Sequence, residues 1–341
     1  MLKFIRGAAL LVSMKTEAAV LSKIGGLEYL SVREHQIEKE PDTILVRILQ
    51  AGVNPVDYNL INGNIIYSIN PVPHVPGSEA VGIAEESGRN VRKGDKVIIY
   101  PRLFDGTCVN CEKGMEEICF KGGLFGVNSN GAYSTRLYVK ESNLFVANQL
   151  DTDIAGSMPV GGLTAYHALM RMNPGEGESV LVYGASGNTG IWAVQIAKAL
   201  GLKVFGVSGK KWLSGYGLDG IYPIDSIPAD LKVDMVINSL GSEVFEDSFS
   251  HMMKGGRITT FGVYTGKKTQ LDISAIYSNE FSVIGSTGGS RSDMAGLIAM
   301  ASKNRFKMPV EKRFDLKRIK EALEAFKKKS TGRIVIEPSQ A

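Results

Sequence analysis

Cysteine is scarce in this chain of 341 residues, which has only three. Three thiols cannot build a disulfide framework, so the fold must rest on buried apolar surface. No stretch approaches the roughly 18 consecutive apolar residues of a membrane span. No basic block interleaved with aromatics is present to track a phosphate backbone, because the 39 Lys and Arg and 35 Asp and Glu are spread along the whole length. These absences exclude a membrane-spanning role and a nucleic-acid partner, and the chain reads as cytoplasmic. Internal repeats and low-complexity segments are absent too. The densest cationic run, Phe326–Arg333, ends an amphipathic pattern with Leu316, Ile319, Leu323 and Phe326 on one face, and reads as a solvated helix end. The opening "MLKFIRGAALLVS" has the outline of a signal peptide, but "MKTEAAVL" from Met14 has the pattern of a first strand. The expectation is an extension over residues 1–13 ahead of the first domain.

The chain length favours two domains, and a hydrophobic content of 44% can give each a core. From Thr16 to about Asn148, short strand patterns ("TILVRIL", "AVGIAEES", "DKVIIYP", "STRLYV") alternate with Gly, Pro and Asn, which predicts a mostly β unit. From Ser179 the period changes. "SVLVYG" is followed by the helical "TGIWAVQIAKALG", then by "KVFGV", "DMVINSLG", "RITTFGVY" and "FSVIGS", with helical segments between several of them. Strands alternating with helices predict a parallel sheet with right-handed crossovers, an α/β unit.

In "VYGASGNTG", Gly184, Gly187 and Gly190 stand between a buried strand and a helix, with Ser186, Asn188 and Thr189 completing the turn. Small residues let the backbone approach a pyrophosphate, and the free N–H groups of the helix start favour its charge. Ala185 stands where the first glycine of G-x-G-x-x-G belongs, one place after Gly184. The alternative is a tight strand-to-helix turn without a ligand. An NAD site needs a carboxylate at the end of the next strand, and "KVFGVSGKK" offers Ser208, Lys210 and Lys211 instead. A hydroxyl and two ammonium groups suit the 2′-phosphate of NADP(H); the plainer reading is an exposed loop.

With these motifs in place, the chain resembles the medium-chain dehydrogenase/reductase superfamily over nearly everything from Met14 to Pro338. "AGVNPVD", "PGSEAVGIAEESGRNVRKGDKV", "GVNSNGAYS", "GGLTAYHAL", "YGASGNTG", "KGGRITTFGVYTG" and "TGRIVI" carry the likeness, together with the cysteine lobe. It implies a GroES-like β domain over 14–152, a Rossmann-fold doubly wound parallel sheet domain over 153–288, and a segment 289–341 returning to the first domain. In zinc alcohol dehydrogenases of this superfamily the lobe carries four ligands separated by two, two and seven residues. Asp105, Cys108, Cys111 and Cys119 have that spacing, with aspartate in the first place, which implies one structural zinc with no open position.

The same likeness implies no catalytic zinc. The three ligand positions fall on Asn54, Ser78 and Val160, and the proton-relay hydroxyl falls on Val56. His74, between prolines, has no second ligand at a sensible spacing. What remains resembles the quinone oxidoreductases and enoyl reductases, some of which carry a tyrosine proton donor near the position of Tyr67, here two residues late. Asn54 and Tyr67 are the catalytic candidates. By the same resemblance Thr164 lies near the nicotinamide, Phe261, Gly262, Ser286 and Thr287 line its pocket, and Arg333 reaches the pyrophosphate. The expected function is reduction of quinones or α,β-unsaturated carbonyl compounds by NADPH. An alcohol dehydrogenase with an atypical site and a cofactor-binding protein without turnover are the alternatives. The resemblance also implies a homodimer or homotetramer.

Overall fold

The protein's structure, a computed structural model, describes residues 13–64, 71–328 and 332–338. The expected extension lies outside these residues except for Ser13, where the first strand, Ser13–Leu21, begins. That strand pairs antiparallel with Leu30–Glu38, residue Ala19 opposite Val32.

Period-two patterning builds the first large sheet. In Thr43–Gly52, Val46, Ile48 and Gln50 are buried while Arg47 and Leu49 between them are less so. This strand pairs with Ala80–Ala84, with Arg136–Lys140 and, at Ala51 and Gly52, with Arg333–Ile336. The seven-stranded sheet therefore takes its edge from the far end of the chain, since Val310–Phe314 and Arg333–Ile336, parallel to each other, join it through the antiparallel pairing of Arg333–Ile336 with Thr43–Gly52. Helix Ile319–Lys327 lies over this edge and buries Ile319, Ala322 and Leu323 in the first core, with Phe326 half-buried, as its amphipathic pattern predicts.

The second sheet has six strands in the spatial order Gly220–Tyr222, Lys203–Val207, Ser179–Tyr183, Val233–Asn238, Met252–Thr260 and Ser282–Gly285, each parallel to its neighbours. In chain order this reads 3-2-1-4-5-6, the doubly wound arrangement. Strand Ser179–Tyr183 is buried along its whole length, which explains its unbroken apolar run. The order reverses between Ser179–Tyr183 and Val233–Asn238, and ligands bind such sheets in the crevice outside the carboxyl ends at that point. The first crossover helix, Asn188–Ala199, buries Trp192 against Phe306 at 5.5 Å between ring centres. Helix Arg291–Lys303, beyond the expected boundary at 288, packs on this second core through Met294, Leu297 and Ala301; the return to the first sheet begins at Val310.

Among the described residues, Ser282–Gly285 is one edge of the second sheet and Gly220–Tyr222 the other. Near or within Ser282–Gly285 in sequence, Tyr264, Ile273, Tyr277 and Val283 are exposed. No helix among the described residues is long and apolar enough to cross a membrane.

Candidate active site

Asn54 stands two residues after strand Thr43–Gly52 and caps helix Pro55–Asn62, with proline at the first helical position, where its missing N–H costs nothing. Asp57, in the first turn, accepts from the Asn54 backbone N–H at 3.0 Å and from that of Ser78 at 2.8 Å. The Asn54 side chain is buried and held on both sides. Its Nδ2 donates to Glu79 Oε2 at 2.9 Å, and its Oδ1 accepts from Asn188 Nδ2 at 3.3 Å. Asn188 is the first residue of the crossover helix, so the β unit touches the glycine turn here.

Glu79 collects donors from three regions of the chain. Its Oε1 accepts from the backbone N–H groups of Val160 at 2.8 Å and Gly161 at 3.1 Å. Its Oε2 accepts from Asn54 and from Arg333 Nη2, which also donates to Gly156 O at 2.9 Å. Both charged side chains are almost fully enclosed. Breaking a buried pair of this kind costs roughly 3 to 5 kcal/mol, because a charge is left without a partner.

Burial raises the Asp57 carboxyl from its ordinary 3.8 to about 6, against the pull of the Ser78 and Asn54 hydrogen bonds. The Ser78 hydroxyl stands near enough to favour the charged form yet makes no hydrogen bond of ordinary geometry. Burial, and then the Asp57 charge, push the neighbouring Tyr133 phenol well above its usual range. His74 is buried with Nε2 on Gly126 O at 2.8 Å, a structural role.

The turn before the crossover helix has the shape its glycines predict. Gly184 has φ +72°, and a Cβ at Gly190 would meet Gly184 O at 2.1 Å. Gly187 caps the helix, followed by Asn188 and Thr189. Ser208 Oγ donates to Ser186 Oγ at 2.9 Å and accepts from Lys210 N at 3.1 Å, while neither Lys210 nor Lys211 enters a salt bridge among the described residues. Phe261 and Gly262 follow strand Met252–Thr260, and Ser286 and Thr287 follow Ser282–Gly285, so both pairs lie at the carboxyl ends of the sheet. Thr164 is half-buried at the start of helix Leu163–Arg171.

Several buried polar atoms around this crevice have no protein partner: Arg333 Nε and Nη1, Asn188 Oδ1 and Ser286 Oγ. Buried polar groups are nearly always satisfied, so the unused donors on Arg333 and Ser286 fit an anionic ligand, while the Asn188 amide oxygen can only accept. Arg333 commits Nη2 to Glu79 and Gly156 O, which leaves Nε and Nη1 without a protein partner. Tyr67 lies outside the described residues.

At the lobe, the ligand atoms of Asp105, Cys108, Cys111 and Cys119 all lie within 4.8 Å of one another. Cys108 Sγ is 3.6 Å from Cys111 Sγ and 3.8 Å from Cys119 Sγ. Ligands about 2.3 Å from a tetrahedral zinc stand about 3.8 Å apart, so the cluster has the size of a zinc site. The backbone N–H groups of Thr107 and Cys108 hold the Asp105 carboxyl well below its ordinary range, and burial pushes the Cys111 thiol up to about 12.

Sequence reasoning missed Asp57, Glu79 and Tyr133. Asp57 and Glu79 lie inside "AGVNPVD" and "PGSEAVG", and a carboxylate set directly before the buried strand Ala80–Ala84 is a visible signal. Nothing in the sequence pairs Glu79 with Arg333, 254 positions away.

Two family models match the chain: the alcohol dehydrogenase GroES-like domain over residues 40–149 and the zinc-binding dehydrogenase over residues 189–303. An NAD-dependent alcohol dehydrogenase of Sulfolobus acidocaldarius is 31% identical, with 94% of this chain and 99% of that protein aligned. An acryloyl-coenzyme A reductase of Metallosphaera sedula is 29% identical over 89% of this chain and 95% of that protein. Among solved structures, a cobalt- and zinc-bound thermostable alcohol dehydrogenase from Pyrobaculum aerophilum superposes with a TM-score of 0.88 at 34% identity, covering 95% of this chain and 100% of that one. The chain belongs to the medium-chain dehydrogenase/reductase superfamily and is an NAD(P)-dependent oxidoreductase of the alcohol dehydrogenase type.

Asp57 gives a pH prediction. Its folded value of about 6 exceeds its ordinary 3.8, so between these values the native chain binds more protons than the unfolded one. The stability it lends is present below pH 4 and lost as pH rises through 6, about 3 kcal/mol in all. Denaturant midpoints across this range should fall for the native protein from this cause, and Asp57→Asn should flatten the slope whatever it does at any single pH. Identical slopes in both proteins would remove the argument.

Proposed function

We propose that this oxidoreductase is an NADPH-dependent reductase of quinones or α,β-unsaturated carbonyl compounds that works without a metal at its active site. The donor set of the crevice carries this reading. An amide, a hydroxyl and an isopropyl group, on Asn54, Ser78 and Val160, stand in the places where zinc enzymes of the superfamily have ligands. The two carboxylates nearby already accept hydrogen bonds on every oxygen, Glu79 from four donors and Asp57 from two. A zinc ion would have to displace these donors and strand Arg333, so the set does not suit it.

Bound NADPH would supply hydride. This chain's part is binding, orientation and polarity. Gly184 and Gly190 admit the cofactor's phosphates close to the backbone, Arg333 has fork donors to spare, and Ser208, Lys210 and Lys211 form an acid-free setting for a 2′-phosphate. Asn54 uses one amide hydrogen on Glu79 and keeps a second for a carbonyl oxygen. An enone or quinone has an acceptor atom that is already electrophilic, so one donor to the oxygen and a proton source suffice.

Relatives named acryloyl-coenzyme A reductases support double-bond reduction and put a thioester-activated alkene among the candidate substrates. Relatives named alcohol dehydrogenases favour a second reading, alcohol oxidation at an atypical site. The lobe is read as holding one structural zinc, supported by its ligand spacing and separation. A homo-oligomer paired through the open edge Ser282–Gly285 accounts for the exposed Ile273, Tyr277 and Val283 beside unpaired backbone.

Steady-state rates with a quinone, a short enal, an enoyl thioester, and a primary and a secondary alcohol should show reduction far exceeding alcohol oxidation. Asn54→Ala should slow reduction roughly tenfold to a hundredfold. Robust alcohol oxidation with no enone, thioester or quinone activity would overturn the reductase reading. Calorimetry should find NADPH bound roughly tenfold to a hundredfold more tightly than NADH, with Ser208→Asp reversing much of the difference. Equal constants would show that the lysines point elsewhere. Elemental analysis should return one zinc per chain, and chelation should lower the thermal midpoint, because metal binding in small zinc domains is worth roughly 10 kcal/mol or more of folding free energy. Two zincs per chain, or none, would contradict this. Light scattering should give a dimer or tetramer that Val283→Lys dissociates; a monomeric native protein rules the edge contact out.

A further inference from the structure

The loop joining strand Ser282–Gly285 to helix Arg291–Lys303 lies at the carboxyl end of the sheet and carries Ser286 and Thr287. The mostly β unit holds this loop in place. Arg102 Nη2 donates to Thr287 Oγ1 at 2.8 Å, and the Tyr100 hydroxyl donates to Gly289 O at 2.8 Å. Arg291 N donates to Glu116 Oε2 at 3.2 Å, and Arg291 Nε to Ser142 O at 3.0 Å. Gly288 has φ +61° and lies against the guanidinium, where a Cβ would stand 2.5 Å from Arg102 Nη2. The loop backbone therefore rests directly on the fork.

Arg102 belongs to the base of the metal lobe. Strand Arg102–Leu103 pairs antiparallel with Gly123–Leu124, and Asp105, Cys108, Cys111 and Cys119 lie between the two. The arginine is fixed from behind by Asn143, whose Nδ2 donates to Arg102 O at 2.7 Å and to Tyr100 O at 3.0 Å. Its Nε is buried with no protein partner. A planar fork anchored at its backbone holds a hydroxyl and a passing glycine in one geometry, which a flexible ammonium does not.

We propose that Arg102 is a positioning residue for the dinucleotide, acting through Thr287 and the Gly288 backbone, so that the lobe serves as a brace for the cofactor crevice. The inference rests on the dinucleotide reading of that crevice. Two short connections from one unit hold the loop that ends the edge strand of the other and two more hold Arg291, the first residue of the helix after it; three of their anchors, Tyr100, Arg102 and Glu116, flank or form the lobe. Arg102 itself needs no contact with the cofactor.

The test uses the full chain and measures NADPH dissociation constants by calorimetry for the native protein, Arg102→Met, Thr287→Val and the double variant, each checked for an unchanged thermal midpoint. Arg102→Met keeps the apolar stem and removes the fork. It should weaken NADPH binding roughly tenfold, the size of one charge-assisted hydrogen bond, and leave the acceptor KM unchanged. Thr287→Val should give a similar loss, and the double variant should be no weaker than the worse single one, since both remove the same link. Arg102→Lys should fall between. Additive losses, or an unchanged constant in both single variants, would overturn the proposal; so would a drop in thermal midpoint that accounts for the whole effect in both variants. If the native chain binds neither NADPH nor NADH, the dinucleotide reading fails first and takes this one with it. Weakened binding in Thr287→Val alone would assign the hydroxyl a direct cofactor contact and dismiss Arg102.

Discussion

Glu79 is the point on which the site depends. A carboxylate with no solvent exposure is tolerable only when every lone pair is met, and here the donors come from Asn54, from the backbone of Val160 and Gly161, and from Arg333. These residues belong to the first helix cap, to the segment linking the two units and to the last strand of the chain. One buried charge therefore closes the first sheet onto its C-terminal edge and aligns the linker against the crevice. The Arg333 contact to Gly156 O ties the same node to the start of the linker.

From this node the geometry extends in two directions. Toward the second sheet, Asn54 reaches Asn188, which opens the crossover helix behind the glycine turn, so the candidate carbonyl donor and the glycine turn are joined side chain to side chain. Toward the surface, Asp57 pins the backbone of Asn54 and Ser78, and the rise of its carboxyl reflects how little water reaches this pocket. At the other rim, Arg102 and Tyr100 hold the loop that ends the edge strand. The crevice is thus bounded on two sides by contacts that cross between units, as expected for a site whose chemistry must be kept from solvent.

The strands were readable because burial leaves a period. Ser179–Tyr183 announced itself by an unbroken apolar run, Thr43–Gly52 by alternation, and Ile319–Lys327 by a stripe at helical spacing. The four lobe residues were readable because their separations along the chain match a resemblance. Arg333 was read as a phosphate ligand, but its partnership with Glu79 was not visible. Glu79 itself looked like an ordinary acid before a strand, and Asp57 like an ordinary first-turn acid, because a sequence shows charge but not whether water remains beside it.

By itself, then, the sequence determined what is local: the pattern of two unlike units, the glycine turn, the lobe spacing, and the identities of Asn54, Ser78 and Val160. Tertiary structure alone decided which polar groups meet. Pairing across 254 positions, or between Arg102 and Thr287, depends on how sheets and loops are placed relative to one another, and that placement comes from the packing of two cores. Hydrogen bonds act only within about 3 Å, and no periodicity in a chain encodes a distance of that kind between residues so far apart.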